Sequence, residues 1–279
     1  VHEELTELRV RDGVALAVRI WRPPGKIRGS LLLIHGGCEH GGRYDHLRPL
    51  FQQAGWLVVL PDHRGHGRSG GVRTDVTDYH VYLKDLQEIQ ERFCPGGQAD
   101  VFLGHSFGGL LAVRLAQVTK PPRALILTAP LLGLLHPVAW WKRALGQVLV
   151  YVAPQTRFRT RINPRNMTRD PGFLEKRLAD PLLQRSVTVR WFYAMQQAIQ
   201  EAWPDLDRLN CPTLVLQGLA DCTVDPRAVA RFVQLRGEPS TRYLTYPDHV
   251  HELLQESDWT ETAATILNWL DEQLPTSAS

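Results

Sequence analysis

At 279 residues, with 43% hydrophobic and 22% charged residues, the chain suits one large globular domain or a core carrying an inserted subdomain. Its formal net charge of +3 is too small to argue for a nucleic-acid ligand. Between Arg123 and Lys142 lie eighteen uncharged residues, close to a membrane-spanning length, but Pro130, Gly133 and Pro137 interrupt them and exclude a transmembrane helix.

No charged-then-apolar leader precedes Leu5, although an already processed secreted chain would read the same way. The four cysteines, Cys38, Cys94, Cys211 and Cys222, show no zinc spacing and no CxxC pair. They read as free thiols of a reducing compartment, which points to the cytoplasm.

In chain order, residues 5–10 and 14–21 flank Asp12-Gly13, a hairpin signal. Residues 30–34 and 56–60 are continuous apolar runs of the buried parallel-strand kind. Between them Leu47, Leu50, Phe51 and Ala54 recur at helical spacing, closed by Gly55. Tyr82, Leu86, Ile89 and Phe93 mark another helix, 101–103 a strand, 110–118 a buried helix and 124–128 a strand. Residues 212–216 and 242–246 are strands, and Trp259, Ala263, Ile266, Leu270 and Leu274 form a final helical stripe. This βαβα order predicts an α/β fold, a mostly parallel sheet with helices on both faces.

Residues 131–204 break the rhythm, with no convincing strand and several helical patterns, including 191–203. They are expected to form an inserted helical cap on a core of 1–130 and 205–275, with 276–279 a flexible tail.

Gly104-His105-Ser106-Phe107-Gly108 fits G-x-S-x-G directly after a strand and directly before a helix. The sharp turn leaves no room for bulk beside the nucleophile, and the hydroxyl then stands at a helix N-terminus, where developing negative charge is favoured. Ser106 is the expected nucleophile. A serine hydroxyl needs a base, itself oriented by an acid, and in this topology the order is Ser, acid, His.

Asp221, a few residues past the strand 212–216, is the favoured acid. Its rival Asp225 precedes Pro226 at an expected helix start and suits an N-cap. His249 and His251 both follow strand 242–246, and spacing alone does not choose between them. Whichever imidazole serves is expected to protonate near ~6.5, or lower if buried. His35-Gly36-Gly37-Cys38 follows the strand 30–34 and can supply an oxyanion N–H from Gly37, with the second from Phe107.

These residues resemble the monoacylglycerol lipase and lysophospholipase branch of the α/β-hydrolases, which is also described as serine aminopeptidase-like. The likeness lies in His35-Gly36-Gly37-Cys38-Glu39-His40-Gly41-Gly42-Arg43-Tyr44, then Asp62-His63-Arg64-Gly65-His66-Gly67-Arg68-Ser69 and the Ser106 turn. Gln217-Gly218-Leu219-Ala220-Asp221 and His251-Glu252-Leu253-Leu254-Gln255-Glu256 complete it, in order across nearly the whole chain. The resemblance implies the α/β-hydrolase fold with an eight-stranded sheet, Asp221 as acid, His251 as base, Gly37 and Phe107 as oxyanion donors, and no metal or organic cofactor. Phe107 stands where the branch usually has Met, and Gly41 where Ser or Gly occurs.

Residues 131–204 hold eleven Lys and Arg against four Asp and Glu, a net of +7 that leaves −4 for the remainder. Five of those cations, Arg157, Arg159, Arg161, Arg165 and Arg169, fall close together beside Trp140, Trp141, Leu145, Val148, Leu149 and Val152. A basic run next to an apolar stripe suits peripheral contact with an anionic lipid surface, or an inward apolar face with a solvated basic one. An aminopeptidase site must hold a substrate ammonium, and only Asp170, Glu175, Asp180 and Glu201 are available there. The reading is therefore a serine hydrolase cleaving monoacylglycerol or a similar single-chain ester through an acyl-enzyme. Its rivals are a lysophospholipase or broad short-chain esterase, and an inactive binding protein on the same fold.

Overall fold

The computed structural model describes residues 3–136, 139–160 and 162–275, with the side chains of Glu3, Lys142 and Arg143 outside that description. Pro137, Arg161 and the tail 276–279 fall outside it as well.

Ten strands and eight α-helices follow one another along the described chain. The first three strands are β1 (Glu3–Arg9), β2 (Ala15–Trp21) and β3 (Gly29–Ile34). After α1 (Arg48–Gln53) come β4 (Trp56–Pro61), α2 (His80–Phe93), β5 (Val101–His105), α3 (Phe107–Val118) and β6 (Ala124–Thr128). The intervening segment holds α4 (Trp140–Val152), β7 (Arg157–Arg159), α5 (Pro171–Ala179), β8 (Ser186–Thr188) and α6 (Val189–Ala202). The chain closes with β9 (Thr213–Gly218), α7 (Pro226–Arg236), β10 (Thr241–Tyr246) and α8 (Trp259–Gln273).

Eight strands form one sheet in the order β1-β2-β4-β3-β5-β6-β9-β10. From β4 to β10 every neighbouring pair is parallel, and the β1–β2 hairpin adds an antiparallel edge. This is the α/β-hydrolase sheet. Alternation along each buried strand builds two cores. Leu32 and Ile34 of β3 face a cluster with Leu86 of α2, Leu110 of α3 and Phe232 of α7. Leu31 and Leu33 face Phe51 of α1 and Ile266 of α8 on the other side. Helices covering both faces explain why the central strands read as unbroken apolar runs.

The segment between β6 and β9 differs from the sequence expectation in one respect. Arg157–Arg159 and Ser186–Thr188 pair as a two-stranded antiparallel ribbon. A three-residue strand is too short to show a period of two, so its pattern is invisible without its distant partner.

Candidate active site

The sheet fixes Ser106 between the end of β5 and the start of α3. Its backbone sits at φ 52° and ψ −118°, a region that L-residues rarely adopt. The surroundings hold it there: Ser106 N donates to Thr128 O at 3.0 Å, and Ser106 O accepts from Leu110 N at 3.0 Å and Leu131 N at 2.9 Å. A Cβ on Gly104 would stand 2.4 Å from Gly108 O, and one on Gly108 only 2.0 Å from Ile34 O. The two flanking glycines are thus required by backbone contact, not by the turn's sequence alone.

The loops after β9 and β10 bring Asp221 and His251 to this serine. His251 Nε2 lies 2.9 Å from Ser106 Oγ, and His251 Nδ1 lies 2.8 Å from Asp221 Oδ2. The other carboxylate oxygen, Asp221 Oδ1, accepts from Thr223 N at 2.7 Å and Val224 N at 3.2 Å, while Gln217 Nε2 donates to Oδ2 at 3.2 Å. Burial opposes charge on the Asp221 carboxyl, but His251 and these amides hold its pKa below the usual value. His251 shows the opposite balance. Burial acts to lower its pKa, yet the Asp221 carboxylate, with Glu252 and Glu39 nearby, raises it above the ordinary imidazole value. This corrects the expectation that burial would depress it: the paired carboxylate outweighs desolvation.

The two rivals sit elsewhere. Asp225 caps α7, accepting from Arg227 N at 3.0 Å. His249 turns away, its Nε2 2.7 Å from Asp258 Oδ1 and its ring against Tyr246.

Gly37 lies beside Phe107, since a Cβ added there would stand 3.4 Å from Phe107 Cβ. Among the described residues neither backbone N–H donates to a protein acceptor. Phe107 is buried, its ring 5.2 Å from Trp191 and 5.5 Å from Tyr82.

Glu39 shapes the loop that carries Gly37, and sequence reasoning gave it no role. Its Oε1 accepts from Gly36 N at 2.6 Å and Tyr44 Oη at 2.8 Å, and its Oε2 from Arg43 Nε at 2.9 Å. Burial would raise the Glu39 pKa, but Arg43 holds it low. Arg43 also reaches Glu252, the residue after His251, and Arg177 of α5 pairs with Glu252 from the other side. The Glu39-x-x-x-Arg43 spacing was the available signal for half of this chain of charges. Its link to Arg177 crosses 134 positions, 177 minus 43, and leaves no local trace.

Ser106 and His251 line a cavity of about 770 Å³. Its walls include Leu131, Leu134, Leu145, Leu149, Phe192 and Met195. No group of His, Cys, Asp and Glu able to hold a metal occurs among the described residues, and all four cysteines are free.

Residues 25–258 match the family described as serine aminopeptidase, S33. The chain is 31% identical to the monoglyceride lipase of Rattus norvegicus, over 86% of its own length and 80% of that protein's. It is 28% identical to the monoacylglycerol lipase of Mycolicibacterium smegmatis, over 92% and 93% of the two lengths. The crystal structure of the Paleococcus ferrophilus monoacylglycerol lipase matches with a TM-score of 0.84 at 25% identity, covering 92% of this chain and 99% of that one. The chain belongs to the serine aminopeptidase S33 family and is a serine-type α/β hydrolase resembling monoglyceride lipases.

Proposed function

We propose that the protein hydrolyses monoacylglycerol or a similar single-chain carboxylester through an acyl-enzyme on Ser106. The observation that carries this reading is the hydrogen-bonded series Ser106–His251–Asp221 at the wall of an apolar cavity. His251 Nε2 takes the Ser106 proton as Oγ attacks the ester carbonyl carbon, and the carbonyl oxygen becomes an oxyanion facing the Gly37 and Phe107 amides. Collapse breaks the acyl–oxygen bond, and His251 returns the proton to the leaving alcohol. Water then attacks the acyl-enzyme with His251 again as base, releasing the carboxylic acid. Asp221 holds the imidazole with Nδ1 protonated and stabilises the imidazolium. No step calls for a metal or organic cofactor.

The peptidase activity in the family's description fits these residues less well. Asp170 caps α5, Asp180 pairs with His40, and Glu201 pairs with Arg114. The carboxylates on the cavity wall, Glu39 and Glu252, are neutralised by Arg43 and Arg177. Glu175 is exposed and does not line the cavity, so a substrate ammonium would find no uncompensated carboxylate on the described cavity wall.

Residues 131–204 serve as a cap whose α4 rests on lipid. Trp140, Tyr151 and Val152 are 81%, 87% and 71% exposed, a patch too apolar for a merely solvated face. With the net +7 of the segment, it suits an anionic surface. No helix among the described residues is long and apolar enough to cross a membrane.

A p-nitrophenyl ester chain-length series, run beside monoolein and lysophosphatidylcholine, tests the substrate reading. Turnover of monoolein above the short esters supports it, whereas activity confined to acetyl and butyryl esters would assign a short-chain esterase.

A further inference from the structure

Among the described residues, four charged side chains line the cavity: Glu39, Arg159, Arg177 and Glu252. Three of them are compensated within the protein. Glu39 holds Arg43 at 2.9 Å, and Glu252 is shared between Arg43 and Arg177. Arg159 is different. It is solvent-exposed and has no hydrogen-bond or carboxylate partner among the described residues, so its guanidinium is the cavity charge that no described protein group compensates. Its neighbour Arg157, two residues earlier on β7, is fully engaged, with bonds to Arg73 O at 2.7 Å and Thr74 Oγ1 at 2.8 Å.

Two amide side chains that follow Arg159 in sequence also line the cavity, as do the apolar Phe158 and Ile162. Asn163 and Asn166 both line the cavity, and Asn163 Oδ1 is already occupied by Arg165 N at 3.1 Å, leaving its amide NH₂ to donate. The acyl chain of such an ester is apolar, so a charged group in the cavity can serve only its alcohol part. Glu252 N donates to Met167 O at 2.7 Å, and Arg177 pairs with Glu252. Both contacts fasten the 163–167 turn and α5 to the residue after His251, the group that protonates the leaving oxygen. The acyl chain can pack on the apolar lining that includes Leu131, Leu145, Leu149 and Met195.

We propose that the enzyme prefers single-chain esters whose leaving alcohol bears a phosphate monoester, as in a monoacylglycerol phosphate, and that Arg159 with Asn163 and Asn166 binds that phosphate. The inference rests on the ester-hydrolase reading above and adds the headgroup class. An arginine fork matches phosphate oxygens bidentately, and a charge-assisted bond is about twice as strong as a neutral one. A bare glycerol leaves the guanidinium without an anion, and a phosphocholine headgroup offers a singly charged diester whose neighbouring ammonium offsets it. Hydrolysis itself is unchanged: water adds across the ester, giving a fatty acid and glycerol phosphate.

The test compares 1-hexanoylglycerol 3-phosphate, 1-hexanoylglycerol and 1-hexanoyl lysophosphatidylcholine, short enough to stay monomeric, so that attraction of the basic segment to an aggregate does not enter. We expect kcat/KM to be highest for the phosphate monoester. The phosphate-to-neutral ratio drops at least tenfold in Arg159→Gln, is partly kept in Arg159→Lys, and inverts in Arg159→Glu. A wild-type ratio of one or less, or an unchanged ratio in Arg159→Gln, overturns the inference. Competition against the wild-type protein needs no variant. Glycerol 3-phosphate should inhibit competitively at concentrations where inorganic phosphate does not, and equal inhibition would mean a free-anion site, not a headgroup site. Fluorophosphonate labelling and p-nitrophenyl butyrate turnover, measured on the same wild-type preparation, separate the two claims. If both persist while the ratio fails, only the headgroup inference falls; if both are absent, the ester-hydrolase reading falls.

Discussion

Glu252, next in the chain to the imidazole that faces Ser106, is paired with Arg177 of α5, so α5 is tied by charge to the loop that carries His251, the proposed base. Arg43 grips the same carboxylate and also Glu39, which pins the Gly36-Gly37 loop. One run of ion pairs therefore fixes both the His251 loop and the Gly36-Gly37 loop. Removing one partner of a buried pair is costly because a charge is stranded. Arg177→Met is expected to destabilise by roughly 2–3 kcal/mol, below the ~3–5 kcal/mol of a fully orphaned charge because Arg43 remains. It should also lower kcat more than it raises KM. Urea denaturation and steady-state kinetics check both, and a variant with wild-type stability would show the pair to be dispensable.

The two aspartates separate cleanly. Asp221→Asn should leave the fold intact and cost on the order of 10⁴ in kcat, because the amide favours the wrong imidazole tautomer. Asp225→Asn loses at most about 1 kcal/mol of helix capping and keeps its rate. The reverse pattern in parallel kinetic and thermal measurements would move the acid to Asp225.

His251→Ala should abolish esterase activity and slow labelling of Ser106. His249→Ala, which loses the contacts to Asp258 and Tyr246, should keep more than roughly a tenth of the wild-type rate, a penalty under about 1.4 kcal/mol. Loss of activity in the His249 variant alone would contradict this geometry.

Acid should inactivate the enzyme in two distinct ways. A general base works only when neutral, and Asp221 raises the pKa of His251, the proposed base, so the rate should fall on acidification with a midpoint above ~6.5. Stability follows a different set of groups. Burial lowers His35 to about 3, and His66 and His105 to about 4. Between those values and ~6.5 the unfolded chain binds protons that the folded one refuses, so stability is full above ~6.5 and is lost progressively as pH falls toward 4. A pH–rate profile and thermal melts taken across the same range resolve the two. A melting temperature flat from pH 7 to pH 4 would contradict the second.

Much of this was legible in the sequence because it is local. The buried strands β3 to β6 show as apolar runs, and the Ser106 turn shows because Gly104 and Gly108 must be small where backbones touch. Asp225 reads as a cap from the proline that follows it. What stayed hidden is non-local. Spacing could not choose between His249 and His251, because two residues of separation give both the same alternation, and only the family resemblance pointed to His251. The β7–β8 ribbon and the Arg177–Glu252 pair join positions far apart in the chain. The His251 shift depends on a carboxylate thirty residues away, 251 minus 221, arriving at 2.8 Å.

The central claim is that one serine carries the acyl group. Peptide mapping after brief exposure to a fluorophosphonate probe tests it most directly. The account predicts a single label on Ser106, and in Ser106→Ala the loss of that label together with at least about 10³-fold of the ester turnover. A label on another residue, or Ser106→Ala protein that still turns over ester near the wild-type rate, would contradict it.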